Sequence, residues 1–184
     1  MKKVPYPIDK KLWSPSLLPG PIVLISTYNT QGVPNVAPKS WLQMVSFDPP
    51  VLMFSGTKGN TTEKNIDQTT CFGVNFVDSK IVKRVFNSLQ WQGPERIKKS
   101  KFEMFKADKI NAPLVQNCKA HLECRVMETK IIGSGLVVFG EIVAASIWDE
   151  VLKAECDKAY TLLDQCLFLE NSLYGRIDKR DNID

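Results

Sequence analysis

The chain has 184 residues, a formal net charge of +4, 43% apolar residues and 24% charged residues. That suits one soluble globular domain with a real hydrophobic core, and no apolar run reaches the roughly 18–20 residues that span a bilayer. The basic excess is too mild, and too mixed with acids, for a nucleic-acid footprint. Lys2 and Lys3 are followed by no apolar stretch, and Pro5, Pro7, Pro15, Pro19 and Pro21 break the segment, so no secretory leader is expected and a cytoplasmic location is.

Five cysteines (Cys71, Cys118, Cys124, Cys156, Cys166) form no C-x-x-C, and His121 is the single histidine. Neither a disulfide framework nor a zinc site follows from that pattern. Four of the cysteines sit in apolar or alternating contexts, which predicts buried thiols in a reducing compartment.

In chain order, Pro19-Gly20-Pro21 introduces a strand over Ile22 to Tyr28. Thr30-Gln31-Gly32 marks a hairpin turn, and a second strand returns from Val33 to Phe47. Pro34 and Pro38 lie inside it. Proline cannot donate to a ladder, so this strand is expected at an edge, bulged, or facing something other than a strand. Asp48-Pro49-Pro50 ends it, and Val51 to Ser55 is a third strand. A loop from Gly56 to Asn60 leads into a short helix over Thr61 to Gln68, with Asn60 and Glu63 spaced as a capping box.

Cys71 to Val77 reads as a fourth strand. Asp78 or Ser79 can cap a helix from Lys80 to Leu89, where Ile81, Val82, Val85, Phe86 and Leu89 recur at helical spacing. Gly93-Pro94 breaks the chain before a polar excursion from Glu95 to Ala107. Ala120 to Lys130 alternates as a strand. Ile131 to Ile147 is a strand pair or one long bent strand. Trp148 to Asp164 reads as helix or loop, Cys166 to Leu169 as a last strand, and Lys179 to Asp184 as a polar tail. About six short strands without strand–helix alternation predict an antiparallel barrel rather than a βαβ fold.

Two segments could carry chemistry. Asn35-Val36-Ala37-Pro38-Lys39-Ser40 lies on the proline-bearing strand, whose unpaired backbone groups could face a planar polar ligand or simply form an irregular edge. Ser55-Gly56-Thr57-Lys58-Gly59-Asn60-Thr61-Thr62-Glu63-Lys64-Asn65 runs from a strand through a Gly- and hydroxyl-rich loop into a helix start. There, outward N–H groups, hydroxyls and lysines suit an anion, the alternative being a solvated capped helix. The basic run Arg96, Lys98, Lys99, Lys101 reads as a solvated helix face or loop, with a docking patch for an anionic cofactor or partner as its alternative.

Together these segments resemble the flavin reductase-like family, which includes flavoredoxins and reductase components of two-component monooxygenases. The resemblance rests on Pro21 to Thr27, Gly32, Asn35-Val36-Ala37-Pro38-Lys39-Ser40, Asp48-Pro49-Pro50, Thr62-Glu63-Lys64-Asn65-Ile66 and Phe72-Gly73-Val74-Asn75, in family order, with a weaker extension through Glu123-Cys124 and Gly140-Glu141. It implies a mainly β, split β-barrel of antiparallel, Greek-key type with a few flanking helices. It implies one domain over 1–184, with a core of about 15–150 and a C-terminal extension of 151–184.

It further implies FMN. Asn35, Val36, Ala37, Lys39, Ser40 and Trp41 would lie along the isoalloxazine and ribityl chain, and Ser55, Gly56, Thr57, Lys58, Thr62 and Asn65 around the phosphate. A homodimer, and NAD(P)H or a redox protein as electron donor, are the implied partners. No metal and no catalytic side chain is assigned. The alternative function is a non-catalytic electron carrier or flavin-binding sensory module. Trp91 could cover the flavin or pack locally, and Tyr174-Gly175-Arg176 loosely matches a terminal region of relatives. There is one departure: where many relatives carry Gly-Asp-His, with the His near the nicotinamide, this chain has Gly133-Ser134-Gly135.

Overall fold

The computed structural model describes residues 3–6 and 18–178; the expected tail over 179–184 lies outside them. The elements are β1 (Gly20–Pro21), β2 (Val23–Tyr28), β3 (Pro34–Lys39), β4 (Leu42–Phe47), β5 (Pro50–Thr57), α1 (Thr61–Thr69) and β6 (Cys71–Phe76). They continue with α2 (Val82–Asn87), a 3-10 turn (Ser88–Gln90), α3 (Gly93–Ser100), β7 (Met104–Lys106), β8 (Pro113–Val115), β9 (Ala120–Ile132) and β10 (Gly135–Ile147). The last are α4 (Asp149–Leu152), α5 (Cys156–Leu163), β11 (Cys166–Glu170) and β12 (Leu173–Arg176). No helix among the described residues is long and apolar enough to cross a membrane.

Seven strands form one antiparallel sheet in the order β3-β2-β6-β9-β10-β5-β4. Its opposite edges, β3 and β4, are consecutive in sequence and joined by Ser40 and Trp41 alone. Three Cα–Cα steps of 3.8 Å reach about 11 Å. A flat sheet of seven strands would hold its edges about 29 Å apart at the usual spacing of about 4.8 Å. The sheet is therefore rolled into a barrel that closes at this corner, where the Ser55 N–H donates to the Trp41 carbonyl at 3.0 Å. This corrects the expected single strand from Val33 to Phe47: the segment crosses from one edge of the barrel to the other. The expected edge position of the Pro34 and Pro38 strand is what the sheet shows.

The barrel interior holds Val23, Ile25, Leu52, Phe54, Ile66, Phe72, Val74, Cys124, Leu136 and Val138. A second core lies outside β2 and β3, where Leu24 and Val36 pack with Val77, Val82, Val85, Phe102, Val115 and Cys166. β2 is covered on both faces, which explains its near-continuous burial. Asn75 ties the two layers together. Its Nδ2 donates to the Leu24 carbonyl at 2.7 Å and to Ser26 Oγ at 2.9 Å, and its Oδ1 accepts from the Val115 N–H at 2.7 Å.

Other local expectations hold in altered form. Asp78 Oδ1 accepts from the N–H groups of Lys80 and Ile81, but the helix beyond is only α2 plus the 3-10 turn. The excursion from Glu95 splits into α3 and β7, and β10 is one long strand with register shifts near Gly140 and Val143. The strands β7, β8 and β12 were not expected. β12 pairs with β11, and β11 pairs with β1, so the C-terminal segment seals the corner beside Ser40. Four cysteines are buried free thiols and Cys156 is exposed. Burial, with Asp164 and Asp78 nearby, pushes the Cys166 thiol up to about 12.

Candidate functional site

The loop after β5 is fixed by its own side chains. Asn60 caps α1: its Oδ1 accepts from the Glu63 N–H at 3.0 Å, and its Nδ2 donates to the Thr57 carbonyl. The expected reciprocal bond of the capping box shifts by one residue, because the Glu63 carboxylate accepts from the Gly59 N–H instead. The N–H groups of Thr61 and Thr62 begin the helix and have no carbonyl ahead of them, so they remain as outward donors.

This loop forms one wall of a cleft of about 500 Å³, whose other walls are β3 and the start of α3. Asn35, Ala37, Lys39, Lys58, Thr62 and Arg96 line it, and Lys64 stands at its rim. Arg96 is clamped from behind, its Nη1 donating to the Val36 carbonyl at 2.7 Å and its Nε to the Ser88 carbonyl at 3.0 Å. Among the described residues, the ion pairs leave Lys39, Lys58, Lys64 and Arg96 without a carboxylate partner. Burial, and then the Arg96 charge, hold the Lys39 ammonium below the usual lysine range; burial lowers Arg96 as well. Like charges kept close and half-desolvated destabilise each other, and an anion placed among them reverses that cost.

A second pocket of about 270 Å³ shares Pro38, Lys39 and Leu89 with the cleft. Its walls are largely apolar: Ile22, Val85, Phe86 and Phe168, with Ser40 at the barrel corner. A polar seat and an apolar slot thus meet along the free edge of β3. The pair can hold an amphipathic ligand with an anionic end and a flat body.

A family model, the flavin reductase like domain, matches residues 16–166. The chain belongs to this family. An uncharacterized protein of Aquifex aeolicus is 28% identical over 151 residues, covering 78% of this chain and 77% of that protein. A flavoredoxin from Methanosarcina acetivorans has the same fold, with a TM-score of 0.81 at 25% identity over 100% of this chain and 95% of its own. The 2-nitrobenzoate 2-nitroreductase NbaA of Pseudomonas fluorescens gives a TM-score of 0.79 at 25% identity, over 90% and 84%. The architecture is the split β-barrel of flavin reductase-like proteins, a family tied to flavin-related redox chemistry.

Within this flavin reductase-like barrel, the residues singled out in the sequence do not all meet. Asn35, Ala37, Lys39, Thr57, Lys58 and Thr62 line the cleft, and Ser40 lines the apolar slot beside it. Gly56 lies directly against Lys39. Val36 points into the outer core, and only its carbonyl reaches the site, through Arg96. Asn65 is buried beneath the cleft, its amide donating to Thr27 at 2.9 Å. Ser55 sits in the ladder at the corner, and Trp41 is 56% exposed and lines neither pocket. Trp91 lines neither pocket, and Tyr174 packs on Phe86 at a ring separation of 6.5 Å.

Sequence reasoning did not place Leu89 or Thr27 at the site, and it reached Arg96 only through the alternative reading of the basic run as a docking patch for an anion. α3 divides the basic run: Arg96 turns inward to β3, while Lys98, Lys99 and Lys101 stay exposed. Gly93-Pro94 at a helix start, with the small residue Ser100 one turn beyond Arg96, was the available signal. His121 is elsewhere, bonded to the Val115 carbonyl at 2.9 Å and near Ser146 Oγ at 3.3 Å, on a separate cavity of about 670 Å³.

Proposed function

We propose that this chain binds FMN, one per chain, and passes electrons from a reduced donor, a nicotinamide nucleotide or a redox protein, to an acceptor. The observation that carries this reading is the set of four cations around Thr62 and the start of α1, none with a carboxylate partner among the described residues. Lys58, Thr62, Lys64, Arg96 and the first N–H groups of α1 would hold the ribityl phosphate. Ala37, Lys39 and Ser40 would line the ribityl chain and ring edge, and Leu89, Phe86 and Phe168 would supply an apolar wall. Asn65 and Gly56 support this seat from below and beside it. Bound FMN supplies the redox chemistry, while the protein positions it, excludes water and tunes it by hydrogen bonds.

Calorimetry with FMN and riboflavin tests the assignment. FMN is expected to bind at least tenfold more tightly, and equal affinities overturn the phosphate seat. Thr62→Val and Lys58→Ala should each weaken FMN by roughly 1–3 kcal/mol, the scale of a lost charge-assisted bond.

A homodimer in the cytoplasm completes the reading. At the β3 edge, α3 already lies against the strand through Arg96. The other edge favours a second copy: on and beside β4, Trp41, Val45 and Phe47 are 56%, 51% and 90% exposed. Light scattering of the FMN-loaded protein at micromolar concentration should report a dimer; a monomer removes this part.

A second reading, an electron carrier or flavin-binding module without efficient nicotinamide oxidation, is favoured by Gly135. Gly135 is paired with Thr57 at the rim of the site, where many family members place a histidine.

A further inference from the structure

We infer that Asn35 is a positioning residue that acts through Thr62, making the phosphate seat a set of donors that selects the dianion. This rests on the FMN reading above and assigns a role that the direct flavin contact expected for Asn35 does not describe.

Thr27, Asn35, Thr62 and Asn65 are all buried, within 4% exposure, and Asn35 and Thr62 line the cleft. Asn65 Nδ2 donates to Thr27 Oγ1 at 2.9 Å. Asn35 Nδ2 donates to Thr62 Oγ1 at 3.1 Å and lies 3.4 Å from Thr27 Oγ1. A hydroxyl has one hydrogen and two acceptor positions. Thr62, receiving from Asn35 on its buried side, keeps its hydrogen for the cleft it lines. With the amide reversed, that hydrogen would go to Asn35 Oδ1, and a lone pair would face the anion. Asn35 therefore decides whether Thr62 attracts or repels what sits above it.

The charged groups around the seat share this polarity. Lys39 on β3, Lys58 in the loop, Lys64 on α1 and Arg96 on α3 are all donors. The acid on the first turn of α1, Glu63, is turned back on the Gly59 N–H. With every charged group at the seat a donor and no carboxylate aimed into it, the added negative charge of the second ionisation is stabilised there. The seat favours the fully ionised monoester, whose second pKa is about 6.

The test is calorimetry of FMN and riboflavin on wild type, Asn35→Leu, Thr62→Val and the double variant, with the wild type also measured from pH 5.5 to 8. Asn35→Leu is charge-neutral and close in size. Each single variant should lose about tenfold in FMN affinity and change riboflavin affinity less than twofold. The double variant should lose no more than Thr62→Val alone. Wild-type FMN affinity should rise about fourfold across the pH range as the second ionisation completes.

Additive losses show that Asn35 acts independently of Thr62 and overturn the inference. An equal loss for riboflavin shows that Asn35 shapes the ring or ribityl site, with the same result. A flat pH profile overturns dianion selection. If Asn35→Leu does not fold, the smaller and equally neutral Asn35→Ala enters the same cycle, with the same expected loss that must vanish in the Thr62→Val background. Wild type that binds FMN and riboflavin equally overturns the phosphate reading itself, a distinct failure.

Discussion

The Lys39 ammonium stands in the space that a side chain at Gly56 would need: a Cβ built on Gly56 lies 2.5 Å from Lys39 Nζ and 3.1 Å from its Cε. The two residues face each other near the barrel closure, Lys39 at the end of β3 and Gly56 near the end of β5. Gly56→Ala meets the mobile end of a lysine rather than backbone, so the lysine moves and the barrel survives. Alanine is also favoured over glycine within a strand. The variant should therefore melt at or slightly above the wild-type temperature without FMN, while FMN affinity falls roughly tenfold as Lys39 leaves the cleft. Lys39→Met should behave alike, since it removes a half-buried ammonium beside Arg96. A Gly56→Ala protein that melts well below wild type without ligand contradicts this account.

Gly140 behaves in the opposite way. A Cβ there would lie 2.5 Å and 2.8 Å from the Phe72 ring and 3.2 Å from Cys124 Cβ. Phe72 is fully buried and held edge-on to Phe54 at 5.0 Å. Neither ring has room to yield, so Gly140→Ala should cost about 1–3 kcal/mol, the usual scale for overpacking. Denaturant unfolding measures that cost, and calorimetry on the folded fraction should show unchanged FMN affinity. An unchanged unfolding midpoint would mean the barrel interior is looser than this contact requires.

His121 gives stability a pH dependence of known sign. Burial, outweighing the Val115 carbonyl and Glu123, holds its imidazole below the usual histidine range. The unfolded chain then takes up a proton near pH 6.5 that the folded chain resists. Its contribution is constant above about pH 6.5 and is lost as pH falls toward the depressed folded value. Wild-type stability should decline on acidification from pH 7 to pH 5. His121→Gln should flatten that decline while lowering stability at pH 7, because the Val115 carbonyl loses a partner fitted to it. Melting curves across this range decide it; an identical slope in both proteins would assign the acid sensitivity to other groups.

The sequence made legible those features that depend on neighbours in the chain. Pro34 and Pro38 announced an edge strand because a missing donor is a local fact. Asn60 announced the start of α1, and alternation around Leu122 and Cys124 announced a barrel wall. The closure at Ser40-Trp41 was not legible, because a two-residue link between distant edges looks like the interior of one strand until the strand order is known. Arg96 was obscured for a related reason: in a basic run, the inward residue is chosen by the packing of Ile97 and Ser100 against the rest of the fold. The amides of Asn35 and Asn65 were read as ligand contacts. A buried asparagine can face either way: here the Asn35 amide donates to Thr62 at the cleft, and the Asn65 amide donates to Thr27 below it.

Gly135 bears on the electron donor. It pairs with Thr57 and Ile132, and a Cβ there would meet the Ile132 and Gly56 carbonyls at 3.5 Å and 3.7 Å, which are ordinary contacts. A larger residue is therefore permitted at the position where many family members carry a histidine near the nicotinamide. Glycine offers neither a ring to pack against nor a proton donor. Hydride transfer requires the nicotinamide and the flavin ring to be held about 3–3.5 Å apart, and poor positioning lowers the rate steeply. We expect slow reduction of the FMN-loaded protein by NADH and NADPH, alongside complete reduction by dithionite. Stopped-flow absorbance on wild type and Gly135→His measures both. Gly135→His should accelerate nicotinamide reduction without changing FMN affinity, since the new side chain stands beside Thr57 and outside the cation cluster. Wild type reduced by either nucleotide at tens per second would show that Gly135 imposes no limit and that the chain works as a direct NAD(P)H-dependent flavin reductase. If the substitution changes neither rate nor affinity, a redox protein becomes the donor to test next, and the positioning role of residue 135 is withdrawn.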